Sequence, residues 1–489
     1  MHELGLYSDS LGGKNMINNK KILIGLVALF GLGSIVESLA QTANESANTE
    51  ESNILETWKF TGELSAGARL FFEDPLYYGQ ADHAFPIVEG RLSASRTWND
   101  GKHRLMIEGY GRWDQDTDTS VVDLPEAYYQ YVGENGSILV GSHIEFWGVA
   151  ESYNPVNVIN QKDNAADIRT QQRLGQPMVK VELGNDEVGT LALFGLVGFR
   201  EREYGDRSSR FRAPWIVDDE FDSYEDKRDI DFAGRYSHAF DVGEGSLDVA
   251  VSYFNGTSRE AKLLPACLFK GLNITKRICK GVNRRIVKRY ENDANIMPGG
   301  GLGVVQNFLA ANFGDDEARR LSKLKRFGFQ PYYQHLEQAG LEVAYGKDNL
   351  QVKFEGAWKH ASDESYVSTV SGLEYTFSSV KDTDYDVTLI GEYLYDDRSM
   401  RQPYTNFDND IFGAIRIAAN NTNNTVFTAG LFYDVDTNGT IGVLEFSTRL
   451  NDAVKLEAKA NIFQADGWDD PLAAIAHDSY VDIKLTTFF

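Results

Sequence analysis

The chain has 489 residues, enough for one large domain or two to three ordinary ones. Its formal net charge is -24, which argues against a nucleic-acid partner, because such a partner needs a basic face. Aromatic residues make up 12% and the mean hydropathy is -0.36, yet beyond the amino terminus no run reaches the roughly 18 apolar residues of a membrane-crossing helix, which excludes a helical membrane protein.

The amino terminus reads as an export signal. Lys14, Lys20 and Lys21 precede the apolar run Ile22 to Val36, and Ser38-Leu39-Ala40 supplies a small-x-small cleavage site. The expectation is a signal peptide over residues 1–40, with Met16 as a plausible true start, and a flexible polar segment over 41–56. From Trp58 the pattern has period two. Trp58, Phe60, Gly62, Leu64, Ala66, Ala68, Leu70 and Phe72 alternate with Lys59, Thr61, Glu63, Ser65 and Arg69. Leu105 to Trp113, Leu350 to Trp358 and Val454 to Ile462 repeat the alternation.

These runs often reach ten residues, against a mode of about five to six in soluble sheets. One face is apolar and ends in Trp, Tyr or Phe, and the other carries full charges. That combination predicts an all-β chain over residues 57–489: a single transmembrane antiparallel β-barrel of about 18 strands. Short turns such as WNDGK (98–102), GENGS (133–137), YGKDN (345–349) and LNDAV (450–454) alternate with longer segments. Outer-membrane barrels combine short periplasmic turns with long outer loops in this way.

Parity assigns a lumen face. Arg69, Arg91, Arg104, Glu108, Arg112, His143, Glu145, Arg235, Glu445 and Arg449 are the candidate pore-lining residues, with Glu63, Lys353, Glu355, Arg416, Lys455 and Lys459 on the same face. Opposed charges across a pore set a transverse field that filters solutes; a ladder of cross-strand ion pairs that merely solvates the interior is the other reading. Between Gly141 and Pro177 lies a long loop rich in amides. Trp147, Glu151, Asn157, Asn160 and Asp163 are its candidate ligand residues if the loop folds into the pore. The alternative is a packed loop whose Asn residues cap turns.

An insertion from about Leu263 to Phe329 follows. Its basic cluster Lys276, Arg277, Lys280, Arg284, Arg285, Lys288 and Arg289 suits lipopolysaccharide phosphates on an outer loop. Cys267 and Cys279 are able to pair in an oxidising compartment. Val304 to Arg326 has a helix-like distribution of Val305, Phe308, Leu309 and Leu321. The stretch DVDTNGTIGVLE, Asp434 to Glu445, matches a calcium-loop template, with Asp434, Asp436, Asn438, Gly439 and Glu445 at the required spacings. Both flanks have period two, however, so it reads as a tight hairpin turn on the outer side. No metal or cofactor is expected. The chain ends in DSYVDIKLTTFF, where Val481, Ile483, Leu485, Thr487 and Phe489 share one face.

FWGVAESYNPVNVINQKD, followed by LGQPMVKVEL, FGLVGFRERE, FAGRYSHAF, YFNGTSRE, LEYTFSSV, IGEYLYDDRS and NDIFGAIRIAAN, resembles a poorly characterised family of proteobacterial outer-membrane barrel proteins, porin-like in fold. The resemblance spans roughly Trp58 to Phe489; the Leu263 to Phe329 insertion departs from it. The WGxxES and NVIN pattern is also distantly similar to barrels associated with envelope export of hydrophobic compounds. The terminal Phe489 resembles the signal read by the bacterial barrel-assembly machinery. The resemblance implies a bacterial outer-membrane location, contact with outer-membrane lipids and lipopolysaccharide, and no defined substrate. The expected function is a non-catalytic channel for small or amphiphilic solutes of unknown identity. The alternatives are a plugged scaffold or receptor and an outer-membrane lipid hydrolase built around His143, although no GxSxG elbow is present.

Overall fold

The computed structural model describes residues 58–115, 119–163, 172–185, 187–217, 222–223, 230–267, 273–292, 314–324, 327–362, 364–399 and 401–489. The expected signal peptide and flexible segment, Val305, Phe308 and Leu309 lie outside them.

Eighteen strands form one sheet. They are β1 (Trp58–Phe71), β2 (Ala84–Trp98), β3 (His103–Asp114), β4 (Thr119–Val132), β5 (Gly136–His143), β6 (Gln176–Asn185), β7 (Gly189–Val197), β8 (Ile230–Val242) and β9 (Gly245–Thr257). The second half comprises β10 (His335–Lys347), β11 (Leu350–Ala361), β12 (Glu364–Phe377), β13 (Asp386–Asp396), β14 (Asn409–Ala418), β15 (Val426–Asp434), β16 (Thr440–Arg449), β17 (Val454–Gln464) and β18 (Tyr480–Phe488). Each pairs antiparallel with its neighbour in the chain, and β18 returns to β1, so the sheet closes. Closure leaves no unpaired edge, which is what a sheet in a hydrocarbon environment requires.

The outward face is a belt of large apolar side chains. Leu92, Ile107, Leu193, Val251, Leu373, Ile415 and Leu431 are all exposed at mid-strand. Toward one rim stand Trp98, Tyr129, Tyr131, Phe240 and Phe377; toward the other stand Trp113, Phe232, Tyr253, Trp358 and Tyr395, all exposed as well. An apolar band between two aromatic girdles is the surface a barrel presents to lipid. At the seam, Gly62 and Phe489 exchange backbone hydrogen bonds of 2.7 and 3.0 Å. A Cβ on Gly62 would stand 2.4 Å from the Phe489 ring, so the terminal ring needs a glycine beneath it.

Connections alternate in length. Turns β2/β3, β4/β5, β6/β7, β8/β9 and β10/β11 are tight and share one rim. The other rim carries 144–175, 198–229 and 258–334. The calcium-like stretch joins β15 to β16 on this long-loop rim as a hairpin turn. Asp434 accepts from the amides of Asp436 and Thr437 at 2.8 and 3.0 Å, and Asn438 has φ 63°. Glu445 sits on β16 opposite Lys459.

The 258–334 connection builds its own small layer. Strands Lys262–Cys267 and Phe327–Tyr333 pair antiparallel, with Asp222–Ser223 alongside. Helix α1 (Asn273–Asn292) packs Val287 against Leu264 and Tyr332 and is tied to the sheet by a Cys267–Cys279 disulfide. The Asn283 side-chain oxygen accepts from the Cys267 amide at 2.9 Å. Helix α2 (Gly314–Ser322) contains Leu321. Its Asp315 accepts from Trp468 Nε1 at 3.1 Å, Trp215 Nε1 donates to Leu321 O at 3.1 Å, and the Tyr78 amide donates to Ser322 Oγ at 2.9 Å. The insertion thereby touches the loops after β1, β7 and β17.

Candidate functional site: a loop stitched across the lumen

The segment between β5 and β6 turns into the barrel, and β4 holds its two ends. A β-bulge in β4 shifts the register with β3 between Glu108 and Tyr110, so both Asp123 and Glu126 face inward. Glu126 accepts from His143 Nδ1 at 2.7 Å and from the Ile144 amide at 3.2 Å. Asp123 accepts from the Gly175 amide at 3.2 Å and from Arg200 at 2.6 Å. Asn160 closes the base: its oxygen accepts from the Glu145 amide at 2.8 Å, and its amide nitrogen donates to His143 O and Leu174 O, both at 2.9 Å.

Trp147 follows, 1% exposed, with its ring edge-on to Phe194 at 5.7 Å among Val156, Ile159, Phe254 and Leu336. It is a wedge that seats the loop on the wall, with no face left for a solute.

Past this wedge, five consecutive backbone amides are satisfied by three wall carboxylates. Gly148 N donates to Glu342 at 3.0 Å, Val149 N and Ala150 N donate to Glu355 at 2.5 and 2.6 Å, and Glu151 N and Ser152 N donate to Glu392 at 2.8 and 2.9 Å. The Ser152 hydroxyl also donates to Glu392, and the Asn154 amide to Glu355 at 2.9 Å. Glu342, Glu355 and Glu392 are 2%, 0% and 4% exposed. A loop removed from bulk water must find such acceptors for its amides. Gly148 has φ 134°, and a Cβ there would stand 2.6 Å from Asn154 Nδ2 and 2.8 Å from Glu355 Oε1.

Glu342 and Glu355 lie directly opposite each other in the β10–β11 ladder. Like charges in that position repel unless both are engaged elsewhere. Arg235 binds Glu342 through two 2.9 Å hydrogen bonds, and the loop amides occupy Glu355. Glu342 and Glu392 were not singled out by parity, and Glu355 was placed on the lumen face without a role. The signal available was the pairing of two carboxylates, Glu342 and Glu355, across a tight hairpin.

The Glu151 side chain continues outward to Arg416 at 2.7 Å and Lys353 at 3.3 Å. On the facing wall Arg91 bridges Glu63 at 3.2 Å and Glu108 at 2.5 Å, while Lys484 holds Glu89 at 3.3 Å and Lys455 holds Glu457 at 2.9 Å. Arg91, Glu63, Arg416 and Glu151 keep 29–39% side-chain exposure, so both walls present ionised groups to the space between them. Beneath the loop a cavity of 360 Å³ runs from Val149 past Arg235 and Glu342 to Asn185 and Gly189 at the short-turn rim.

The remaining candidates divide into two groups. Arg104 is exposed and lies 5.9 Å from the Tyr128 ring. Arg449 lies over Phe488 at 5.2 Å, and Glu145 accepts from Lys180 at 2.8 Å. Arg69 and Arg112 also point inward but are 2% and 3% exposed. Arg69 is bidentate to Asp482 at 2.8 and 2.9 Å between the Phe211 and Tyr480 rings, and Arg112 lies between Asp114 and Asp163 at 3.3 and 3.8 Å. These two brace the long-loop rim and line no open space. Asp163, 1% exposed, belongs to the Lys162–Asp163 ladder with Gln172–Arg173, and Asn157 donates its backbone amide to Asn154 O at 3.2 Å.

No family model and no curated relative matches the sequence. Among solved structures the chain is similar to mutant forms of a porin from Rhodopseudomonas blastica. Two of them are covered over 100% of their length and cover 88% of this chain, at 10% and 9% identity, each with a TM-score of 0.36. So loose a superposition carries no argument about the pore, which rests on the geometry above.

Proposed function

We propose that the protein is a channel of the bacterial outer membrane, with the 144–175 loop as its constriction. One observation carries this reading. The backbone of Gly148 to Ser152 is fastened to one wall, while Glu151, Arg416, Arg91 and Glu63 keep exposed charged groups toward the lumen. A barrel of this strand number is wide enough for water, and fixed charges of both signs at a narrowing filter solutes by charge and dipole. The candidate pore-lining set then acts as filter and support. Small or amphiphilic solutes are the proposed class, and the resemblance of the FWGVAES stretch to outer-membrane barrel proteins supports the location. The test is single-channel conductance of the refolded mature protein in a planar bilayer. Steady, charge-selective current supports the channel; silence from folded, heat-modifiable protein overturns it.

A second reading, a plugged scaffold or receptor, is favoured by helix α2, which bridges loops after β1, β7 and β17. Leu263 faces Pro331 in the insertion hairpin, so removing 263–329 leaves ends that are close together. If the insertion is a plug, that deletion raises conductance; unchanged current removes the reading. The same layer supports contact with lipopolysaccharide, because Lys280, Arg284, Arg285, Lys288 and Arg289 are exposed along α1. Export rests on residues 1–40, and amino-terminal sequencing of the mature protein should begin at Gln41. Insertion by the barrel-assembly machinery rests on Phe489. A hydrolase reading would require His143→Ala to abolish turnover of a lipid ester.

A further inference from the structure

Above the stitched segment, five cations surround two carboxylates. Arg398, after β13, is held by both: Nη2 lies 2.7 Å from Asp396 and Nη1 2.9 Å from Glu260. Around this triad stand Lys162 of the inward loop, Lys359 of β11, Arg202 after β7, and Arg173 opposite Lys162 in the two-residue ladder. Lys162 Nζ lies 6.0 Å from the centre of the Tyr153 ring. Lys359 Nζ lies 6.0 Å from the Tyr366 ring, which also carries Arg398 at 5.0 Å.

Neither ammonium has a hydrogen-bond or ion-pair partner among the described residues, although Lys359 is only 5% exposed. Arg173 Nη1 is likewise a buried donor without an acceptor. Burying an ammonium without an acceptor is costly, and an aromatic face returns only part of that cost. Each carboxylate already binds Arg398, so the two amines meet only longer-range attraction. Elsewhere in this lumen cations are paired directly, as at Arg91, Arg235 and Lys180. Lys162 is half-buried and the Glu260 side chain is 29% exposed, so the cluster is not sealed from solvent.

We propose that this cluster binds the oxyanion of a small solute, a carboxylate or phosphate group, between Lys162 and Lys359, with Tyr153 and Tyr366 flanking its organic portion. The proposal deepens the channel reading and rests on it for the route by which the solute arrives. The site precedes the constriction for a solute coming from the long-loop mouth. The bound oxyanion supplies the negative charge that Asp396 and Glu260, both engaged by Arg398, do not bring to the two ammonium groups.

The experiment pairs calorimetry on detergent-solubilised full-length protein with single-channel recording, using inorganic phosphate and benzoate as probes. Saturable binding is expected, together with concentration-dependent interruption of current. The dissociation constant should rise tenfold or more in Lys162→Gln plus Lys359→Gln, fall in Glu260→Gln, and hold in Lys347→Gln at the opposite rim. Lys162→Gln alone changes a half-buried loop residue and keeps the test valid if the double variant does not fold. Stronger response to benzoate assigns a carboxylate solute, and stronger response to phosphate a phosphorylated one. Equal binding by wild type and the lysine variants, or no binding of either probe, overturns the site. Current without calorimetric binding overturns the site and leaves the channel standing. Binding lost in the variants without any current keeps the site and removes the channel.

Discussion

The two long loops solve the same problem in opposite ways. The described part of the 144–175 loop enters the lumen and seats Trp147, Val156 and Ile159 in an apolar cluster shared with the wall. Its amides are satisfied by carboxylates on β10, β11 and β13. The described residues of the 258–334 connection sit at the rim and carry their own hairpin, helix, disulfide and apolar cluster of Leu264, Val287 and Tyr332. A loop that enters a barrel depends on charges the barrel supplies, whereas one that stays outside can be built as a small attached domain. Changes in the wall should therefore be felt in the first loop and ignored by the second.

The largest effect is expected from Glu355→Leu. It leaves the Val149 and Ala150 amides and the Asn154 side chain without their acceptor, for a cost of about 3–5 kcal/mol. Urea denaturation should show the loss, and single-channel current should become noisy and larger as the loop detaches. A quiet wild-type current from a stable variant would mean that the carboxylate does not hold the loop. Next, Cys267→Ser with Cys279→Ser should lower the stability of the insertion by about 3 kcal/mol in the chain-entropy model. Limited proteolysis should then cut near α1 while conductance holds; a changed conductance would join the two regions that the comparison separates. Gly148→Ala should cost about 1–3 kcal/mol from its φ and the close approach of Asn154 and Glu355. The conductance change should resemble that of Glu355→Leu but be smaller, and a wild-type melt and trace would contradict the stitched geometry.

The smallest effect concerns pH. Burial, with Arg173 and Arg202 alongside, pulls the Lys162 ammonium down to about 7. Between pH 7 and about 10.4 the folded loop therefore binds fewer protons than the unfolded chain. Its stability falls as pH is lowered across that window and levels off below 7. An oxyanion needs the protonated amine, so benzoate affinity should weaken as pH is raised from 6 to 8.5. Equal affinity at both values would separate Lys162 from the binding event.

The sequence by itself determined the barrel. Leu350, Val352, Phe354 and Trp358 alternate with Gln351, Lys353, Glu355 and Lys359 because lipid faces one side of β11 and the lumen the other. Strand number and the alternation of short turns with long loops followed from that period and its interruptions. The Asn438-Gly439 turn was legible because its flanks kept period two, which removed the calcium-loop reading. What period two could not tell was which inward residues remain open. Arg69 and Arg91 share a parity, yet rim aromatics enclose the first and leave the second 29% exposed. Nor could it tell where the 144–175 loop goes. The acceptors for Gly148, Val149 and Glu151 lie 194, 206 and 241 residues downstream, and only closure of the sheet brings them together. Alternation is local because lipid acts on each residue separately. The constriction is non-local because an amide in the lumen must find its acceptor on whichever strand the tertiary structure sets beside it.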